Sequence, residues 1–359
     1  MIPVTKPFSP PIEEYQKFLE GIWERNWFTN NGPLVNQFEL NLKTYLEVPH
    51  LLYVSNGTIA LQLAIKALGI TKKIITTPFS YVATTSSIVW EGCTPVFVDI
   101  NPKTLNLDPS KIEEAIDEDT EAILATHCFG NPCDIDAIQS IAERFNLKVI
   151  YDAAHCFGTT YKGKSIFSYG DISTTSFHAT KLFHSIEGGA VFTNNPDIVK
   201  KISFMRNFGH NGPEEFEGIG INAKNSEFHA AMGLVNLKYI DQILMNRKYL
   251  AFKYDEYLKG SDLSYPQVSK ISQANYSYYP IIFSSEKIML EVKKGLEACE
   301  VFPRRYFYPS LSKLDYVSGM TPISDSVSRR ILCLPLYYGL RDEEIRLVTR
   351  KILRILKYS

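Results

Sequence analysis

Short apolar runs alternate with amphipathic segments through the first half of the chain. The runs are five or six residues long, have the composition of buried strands, and cover 73–77, 94–99, 121–126 and 148–152. The segments between them have apolar residues at helical spacing and cover 81–91, 110–116 and 134–145. Asp108 and Asp134 are helix-start signals. This alternation predicts right-handed βαβ units, and hence an α/β fold with a mostly parallel sheet covered on both faces.

The second half of the chain predicts a long helix followed by a smaller unit. Residues 225–258 have the pattern of one long helix or a bent pair. The elements after it are a strand-like 276–283, a helix 286–299, a Pro- and Tyr-rich loop 302–309 and a final amphipathic helix 342–356. We therefore predict a large domain over 1–258 and a small C-terminal α/β domain over 259–359.

Composition and charge narrow the class of protein. The 359 residues include 45% hydrophobic positions, which is ordinary for a folded protein with an ample core. The 38 Lys and Arg residues nearly balance the 39 Asp and Glu residues, and this balance argues against a nucleic-acid partner. No apolar stretch reaches the roughly 18 to 20 residues of a membrane span, and the first residues lack a signal-peptide pattern. We expect a cytoplasmic protein that binds no membrane.

The six cysteines do not suggest a disulfide framework, because they are sparse and none forms a Cys-x-x-Cys pair. His127, Cys128 and Cys133 raise the question of zinc, since imidazole and thiolate groups are zinc ligands. A Cys-x4-Cys spacing without a second pair is a weak zinc signal. We expect a strand end and a turn with small buried thiols, and no metal.

The candidate chemistry centres on Lys181. This lysine lies in an apolar and aromatic segment that follows a predicted strand and precedes Gly188-Gly189. A desolvated lysine has a lowered pKa and can form a Schiff base. Asp152 closes another predicted strand, and the small Ala153 and Ala154 after it leave room for a flat ring. A carboxylate in this place could hold a pyridinium nitrogen protonated.

A phosphate site is predicted at Asn56-Gly57-Thr58, where a turn leads into an apolar helix. Free amides and a hydroxyl at a helix N-terminus bind anions, and Ser176 offers a second hydroxyl. A phosphate cradle, a ring-nitrogen carboxylate and a Schiff-base lysine, in that chain order, are what pyridoxal 5'-phosphate (PLP) requires in a fold like that of aspartate aminotransferase, PLP fold type I.

Five motifs in register resemble the DegT/DnrJ/EryC1/StrS family of nucleotide-sugar aminotransferases. The motifs are Asn56 to Thr58, Asp152 to His155, Ser176 to Lys181, Glu187 to Gly189, and Gly220-Ile-Asn222 through Ser226-Glu227. The resemblance covers nearly the whole chain, and it is greatest to the subgroup that makes dTDP-4-amino-4,6-dideoxyglucose.

The resemblance implies a role for each matched residue around the cofactor. Lys181 forms the Schiff base and then moves protons as general acid and base, and Asp152 pairs with the ring nitrogen. Tyr81 stacks on the ring. His155 lies next to the phenolic oxygen, where many relatives have glutamine.

The phosphate contacts follow from the same comparison of motifs. Gly57, Thr58 and Ser176 bind the cofactor phosphate in their own subunit. Asn222 matches an asparagine that reaches the cofactor phosphate of the neighbouring subunit, so the resemblance implies a homodimer with shared active sites. Lys224 stands where relatives commonly have arginine and keeps the charge without the bidentate fork.

Substrate contacts are expected from several loops. The candidate residues are Thr29, Asn30, Asn31, His184, His210, Lys224, Arg305 and Tyr308. The resemblance implies transfer of an amino group from L-glutamate to a dTDP-linked keto-sugar. Amination at C4 of a 4-keto-6-deoxyhexose is expected, and the alternative is amination at C3 of a 3-keto-6-deoxyhexose or acceptance of both substrates.

Three other functions compete with this prediction. A PLP-dependent sugar dehydratase of the same fold has histidine in place of the Schiff-base lysine, whereas Lys181 is present here. A nicotinamide-dependent oxidoreductase needs Gly-x-Gly-x-x-Gly after the first strand, and Gly218-Ile-Gly220 lacks the third glycine. A noncatalytic sensor would not need Asp152, Ser176 and Lys181 together.

Overall fold

A computed structural model describes residues 1–358. The α-helices are α1 (Ile12–Arg25), α2 (Pro33–Leu46), α3 (Gly57–Ala67), α4 (Val82–Trp90), α5 (Ile135–Phe145), α6 (Pro196–Met205), α7 (Glu227–Leu237), α8 (Ile240–Tyr257), α9 (Glu286–Glu297), α10 (Pro322–Arg330) and α11 (Asp342–Tyr358). The strands are β1 (Ile2–Pro3), β2 (His50–Val54), β3 (Lys73–Thr76), β4 (Thr94–Phe97), β5 (Thr120–Thr126), β6 (Lys148–Asp152), β7 (Thr160–Tyr161), β8 (Lys164–Ser165), β9 (Ile172–Ser176), β10 (Gly189–Thr193), β11 (Ser272–Gln273), β12 (Tyr279–Ile282), β13 (Val301–Phe302) and β14 (Ile331–Leu334).

Seven strands form the central sheet in the order β2-β10-β9-β6-β5-β3-β4. β10 runs antiparallel to both of its neighbours, and the other pairs are parallel. The α/β fold with a mostly parallel sheet is therefore confirmed, and the four predicted strands are present. The register sets Thr126 opposite Asp152, and Asp152 opposite Thr174, so the carboxyl ends of β5, β6 and β9 lie side by side.

Helices cover both faces of the sheet because successive strand residues alternate between two apolar cores. Val149 and Tyr151 of β6 pack into the core beneath α1, α2, α5 and α7, whereas Ile150 packs into the core beneath α3 and α6. Residues on both sides of each strand are thus apolar, which explains the continuous hydrophobic runs in the sequence.

Two local predictions need adjustment. The segment 110–116 is not an α-helix but two short 3₁₀ turns, Pro109–Lys111 and Glu113–Ala115, because Ile116 is already extended where the chain turns towards β5. The long helical segment is a bent pair, α7 and α8, with the break after Leu237.

A second core defines a smaller unit, here called the second lobe. It is built from β12, β14, α9, α11 and the end of α8, and β1 pairs with β13 at its edge. Ile2, Leu250 and Tyr254 belong to this core, so residues that precede 258 contribute to it. The boundary at residue 258 stays a prediction. Within residues 1–358, no helix is both long and apolar enough to cross a membrane.

Candidate active site

A cavity of about 530 Å³ opens at the carboxyl ends of β6 and β9. Seven of the predicted site residues line it: Gly57, Thr58, Tyr81, Asp152, His155, Ser176 and Lys181. Ligands of open α/β sheets bind at this edge, where loops and helix N-termini converge. The second lobe completes the wall with Tyr278, Arg304, Tyr306 and Phe307.

The N-terminus of α3 forms an anion cradle in this wall. Asn56 caps the helix, and its side-chain oxygen accepts a hydrogen bond from the Ile59 amide at 2.9 Å. Gly57 and Thr58 line the cavity, and as the first residues of the helix they carry amides that have no partner within it. A Cβ at Gly57 would lie 2.9 Å from the Cβ of Ser176, so glycine is needed for this helix end to approach β9. The cradle suits a phosphate.

Asp152 lies at the end of β6 with its carboxylate almost fully buried. Its oxygens accept hydrogen bonds from Thr84 Oγ1 at 2.8 Å and from the Ala154 amide at 3.2 Å. Burial raises the pKa of Asp152, and the bonds from Thr84 and Ala154 and the charge of Lys181 oppose that rise. An ionised carboxylate in this place is a partner for a protonated ring nitrogen.

Lys181 extends into the cavity from the loop between β9 and β10, which spans residues 177–188. Backbone bonds from Ala179 to Ile186 (2.7 Å) and from Ser185 to Phe177 (2.9 Å) hold the loop. Burial lowers the pKa of Lys181 to about 8, against an opposing effect of Asp152. A substantial fraction of this amine is therefore neutral near physiological pH, as a nucleophile requires.

His155 presents an unsatisfied polar group to the same region. Its ring lies parallel to Phe307 at 5.9 Å between centroids and meets the edge of Tyr278 at 4.9 Å. Burial holds the pKa of His155 well below its usual value, so the ring is neutral and carries one N–H donor. Nδ1 is buried and has no hydrogen-bond partner within the described residues. Such an orphaned atom is expected where a ligand completes the site.

These groups fit pyridoxal phosphate. The lysine has a lowered pKa, the carboxylate is buried, the helix N-terminus is open to an anion, and the Tyr81 ring on the cavity wall is 59% exposed. An exposed aromatic face at a cavity is available for stacking on a flat ring. The role of each residue towards the cofactor stays a prediction.

A polar strap, residues 275–278, joins the two lobes behind His155. Asn275 Nδ2 and Ser277 Oγ donate to the backbone oxygen of His155 at 2.7 and 2.5 Å. Arg247 of α8 is buried and donates to the backbone oxygens of Tyr276 and Ser277. The strap therefore fixes Tyr278 against the cavity.

The sequence did not assign a role to several residues in and behind the cavity wall. Glu187 and His178 face each other there, with 3.4 Å between Oε1 and Nε2. Thr84, which binds Asp152, lies one helical turn after Tyr81, and that spacing is the signal that could have found it. Arg304 also lines the cavity. Its backbone forms an isolated β-bridge with Cys333, which lies 29 residues later in the chain, and this pairing holds Arg304 in place.

Arg305 and Tyr308, two predicted substrate contacts, do not line this cavity. Arg305 pairs with Glu286 at 2.7 Å, and its guanidinium lies 3.5 Å above the Tyr308 ring. Because side chains alternate in extended backbone, Arg304 and Arg305 lie on opposite sides of the chain, and Arg304 is the one that faces the cavity.

His184 is also placed away from the cavity. Its Nε2 bonds to the backbone oxygen of Phe8 at 2.8 Å, and its Nδ1 accepts from the Ile186 amide at 3.2 Å. Burial lowers the pKa of His184, and the neutral ring uses both nitrogens in these contacts. In this chain His184 holds the loop that carries Lys181.

The remaining predicted residues cluster at a different surface recess. Asn30, His210 and Lys224 line it. Lys224 Nζ donates to Asn222 Oδ1 at 2.9 Å. Thr29 and Asn31 lie next to Asn30, and their backbone oxygens accept from Trp27 and Asn36. One chain therefore brings seven of the eight cofactor candidates together but holds Asn222 and the residues of this recess in a separate group.

Comparison with known proteins places this chain among sugar aminotransferases. The profile of the DegT/DnrJ/EryC1/StrS aminotransferase family matches residues 11–353. The chain is 42% identical to dTDP-4-amino-4,6-dideoxy-D-glucose transaminase of Shigella dysenteriae and 39% identical to that of Escherichia coli, with 98% of each chain covered in both cases.

A solved structure of similar shape is DesI, crystallised in the presence of its TDP-sugar product. It superposes with a TM-score of 0.94 at 31% identity, over 99% of this chain and 93% of the other. The expected PLP fold type I architecture is thereby confirmed.

Proposed function

Since this chain belongs to the DegT/DnrJ/EryC1/StrS aminotransferase family, we propose that it moves the amino group of L-glutamate to dTDP-4-keto-6-deoxyglucose, giving dTDP-4-amino-4,6-dideoxyglucose, with pyridoxal phosphate as cofactor. The observation that carries the proposal is the 42% identity with the Shigella transaminase over 98% of both chains. The cavity supports it, because Lys181, Asp152 and the α3 cradle meet there.

Pyridoxal phosphate, when bound, supplies an electron sink for the negative charge that forms when a proton leaves the substrate carbon. Lys181 Nζ would remove that proton and return one to the cofactor carbon on the other side of the amine nitrogen, a 1,3-shift for which its neutral amine is available near pH 8. Asp152 holds the ring nitrogen protonated. The amides of Gly57 and Thr58 hold the phosphate and so fix the distance between the cofactor and Lys181.

Arg304 is our candidate for holding an anionic part of the substrates. It carries a positive charge on the cavity wall and forms no ion pair among residues 1–358. A guanidinium binds carboxylate or pyrophosphate through paired hydrogen bonds. The glutamate carboxylate and the dTDP pyrophosphate both present such groups, and the second lobe brings Arg304 to them.

The test uses the purified chain with PLP, glutamate and dTDP-4-keto-6-deoxyglucose. We expect borohydride to fix phosphopyridoxyl on the Lys181 peptide, and NMR of the product to show an amino group at C4. Lys181→Ala is the control and should give neither result. A second reaction adds a 3,4-ketoisomerase, which supplies the 3-keto sugar. A C3-aminated product there, with no amination of the 4-keto sugar alone, would move the reaction to the alternative keto-sugar, and absence of the label on Lys181 would refute the proposal.

A homodimer with shared active sites is part of the proposal. The separate recess of Asn30, His210 and Lys224 supports it, because residues that the resemblance assigns to the active site lie outside the cavity of their own chain. In a twofold dimer the same surface of each subunit can complete the other's site.

A further inference from the structure

A chain of three buried hydroxyl groups leads to Asp152. Thr126 Oγ1 donates to Ser80 Oγ at 3.1 Å, Ser80 Oγ lies 2.7 Å from Thr84 Oγ1, and Thr84 Oγ1 donates to Asp152 Oδ2 at 2.8 Å. The three side chains are at most 2% exposed and come from three places: the end of β5, the loop after β3, and α4.

The direction of the hydrogen bonds in this chain is fixed by proton counting. An ionised carboxylate only accepts, so Thr84 must give its single hydroxyl proton to Asp152. Thr84 then has to accept from Ser80, and Ser80 in turn has to accept from Thr126. The three O–H dipoles therefore point the same way, with their positive ends towards the carboxylate, and each polarises the next.

Asp152 depends on such dipoles because the Ala154 amide, at 3.2 Å, is the other hydrogen-bond donor to it among the described residues. It forms no ion pair within residues 1–358. The titratable groups that face it are Lys181, Cys128 and Cys156. Burial raises the pKa of both thiols, so they are neutral, and Lys181 is partly neutral. Removal of a hydrogen-bond donor from a buried carboxylate favours its protonated form.

We propose that Thr126, Ser80 and Thr84 are positioning residues that keep Asp152 ionised and oriented towards the ring nitrogen of the cofactor. This inference rests on the proposed function, because it needs pyridoxal phosphate in the cavity. It goes beyond it in assigning a role to three hydroxyl groups, of which Thr84 and Thr126 lie behind the cavity wall.

The experiment compares isosteric variants of neighbouring threonines. Thr84→Val removes the hydroxyl that binds Asp152 and keeps the side-chain shape. Thr85→Val is the matched control, because the Thr85 hydroxyl is equally buried and has no hydrogen-bond partner within the described residues. Thr84→Ser keeps the hydroxyl group and should therefore have the wild-type pKa of Asp152 and the wild-type affinity for PLP. Ser80→Ala interrupts the chain one step earlier and provides a second test should Thr84→Val fold poorly.

Two quantities are measured. In the cofactor-free protein, ¹³C NMR of labelled aspartate, assigned with Asp152→Asn, gives the pKa of Asp152, which should rise in Thr84→Val and, by a smaller amount, in Ser80→Ala. In the second measurement, the dissociation constant of PLP should rise about tenfold or more in Thr84→Val, as expected for loss of one hydrogen bond to a charged group. Thr85→Val should match the wild type in both.

The outcomes separate this inference from the proposed function. If wild-type protein binds no PLP, the proposed function fails. If wild-type protein binds PLP but the Asp152 pKa is the same in Thr84→Val, Ser80→Ala and wild type, the hydroxyl chain has no electrostatic role and the inference fails alone. A Thr84→Val protein that only unfolds at a lower temperature, with both quantities unchanged, also overturns it.

Discussion

At the scale of single residues, the reactivity of Lys181 follows from where its amine lies. Burial lowers its pKa to about 8, and the nearby Asp152 limits the shift. At pH 7.5 a group with that pKa is about one quarter neutral, whereas an exposed lysine of ordinary pKa is neutral in about one molecule in a thousand. This difference would allow selective attack on an aldehyde.

The reaction of Lys181 with an aldehyde should therefore show a distinct pH dependence. The neutral amine is the nucleophile, so the rate of PLP uptake by the cofactor-free protein should rise about tenfold per pH unit below 8 and level off above it. Stopped-flow absorbance from pH 6 to 9.5 measures this rate. Nα-acetyl-lysine, whose side-chain amine is free, is the reference under the same conditions, and its rate of reaction with PLP should still be rising at pH 9.5. A protein profile that matches Nα-acetyl-lysine would contradict the lowered pKa of Lys181.

At the scale of elements, a carboxylate joins two helices beneath the sheet. Glu227, the first residue of α7, is fully buried and accepts hydrogen bonds from the Leu34 and Val35 amides of α2 at 3.0 and 2.9 Å. A Cβ at Gly32 would lie 2.5 Å from the Glu227 carboxyl carbon, so the close approach also needs glycine. Glu227 satisfies amides that α2 itself leaves open, and a negative charge is favourable at a helix N-terminus.

Replacement of Glu227 should weaken the contact between α7 and the N-terminus of α2. Glu227→Gln keeps the shape but loses the charge and one acceptor, and the free energy of unfolding should fall by about 1–3 kcal/mol. Urea unfolding followed by circular dichroism measures it. Glu20→Gln on the exposed face of α1 is the control, with an expected change within about 0.5 kcal/mol. Equal stability of both variants would show that the α2 amides do not need the carboxylate.

Local patterns located four of the seven strands of the central sheet, because strands buried on both faces are continuous apolar runs. They predicted Lys181, Asp152 and the α3 cradle for a related reason: Asp152 ends a strand, and Lys181 and the cradle follow within a few residues of one, at the edge where ligands bind. The sequence did not point to Arg304, whose position depends on a β-bridge with Cys333, or to the contact of His184 with Phe8, which joins distant segments. Pairings of this kind leave no periodic signal. The role of His184 towards the substrate stays a prediction.

At the scale of the whole molecule, the cavity lies between two lobes. The central sheet supplies the lysine and the carboxylate, and the second lobe supplies Arg304, Tyr306 and Phe307. The polar strap at Asn275 and Ser277 fixes the lobes to each other next to His155. The wall formed by Asp152, His155 and Lys181 thus belongs to the part of the molecule built on the central sheet. The position of Arg304 depends on the packing of the second lobe.

The proposed shared sites predict recovery of activity on subunit mixing. Lys181→Ala and Asn222→Ala homodimers should each be nearly inactive. Hybrids formed by mixing them should hold one intact site, so random exchange should restore about a quarter of wild-type activity. Mixing Lys181→Ala with Asp152→Ala is the control and should restore none, because both residues line the same cavity. If native mass spectrometry shows hybrids of the first pair without activity, Asn222 does not act across the interface.

The pairing of β1 with β13 has a consequence for how the protein is made. Ile2 and Pro3 pair with Val301 and Phe302, about 300 residues later, and at 5–20 residues per second the ribosome needs roughly 15 to 60 seconds to reach them. The strands of the central sheet are complete once Thr193 has emerged, so that sheet can assemble while synthesis continues. Strand β1 is therefore seated late, and the newly made protein acquires its full ligand cavity only after the second lobe has been synthesised.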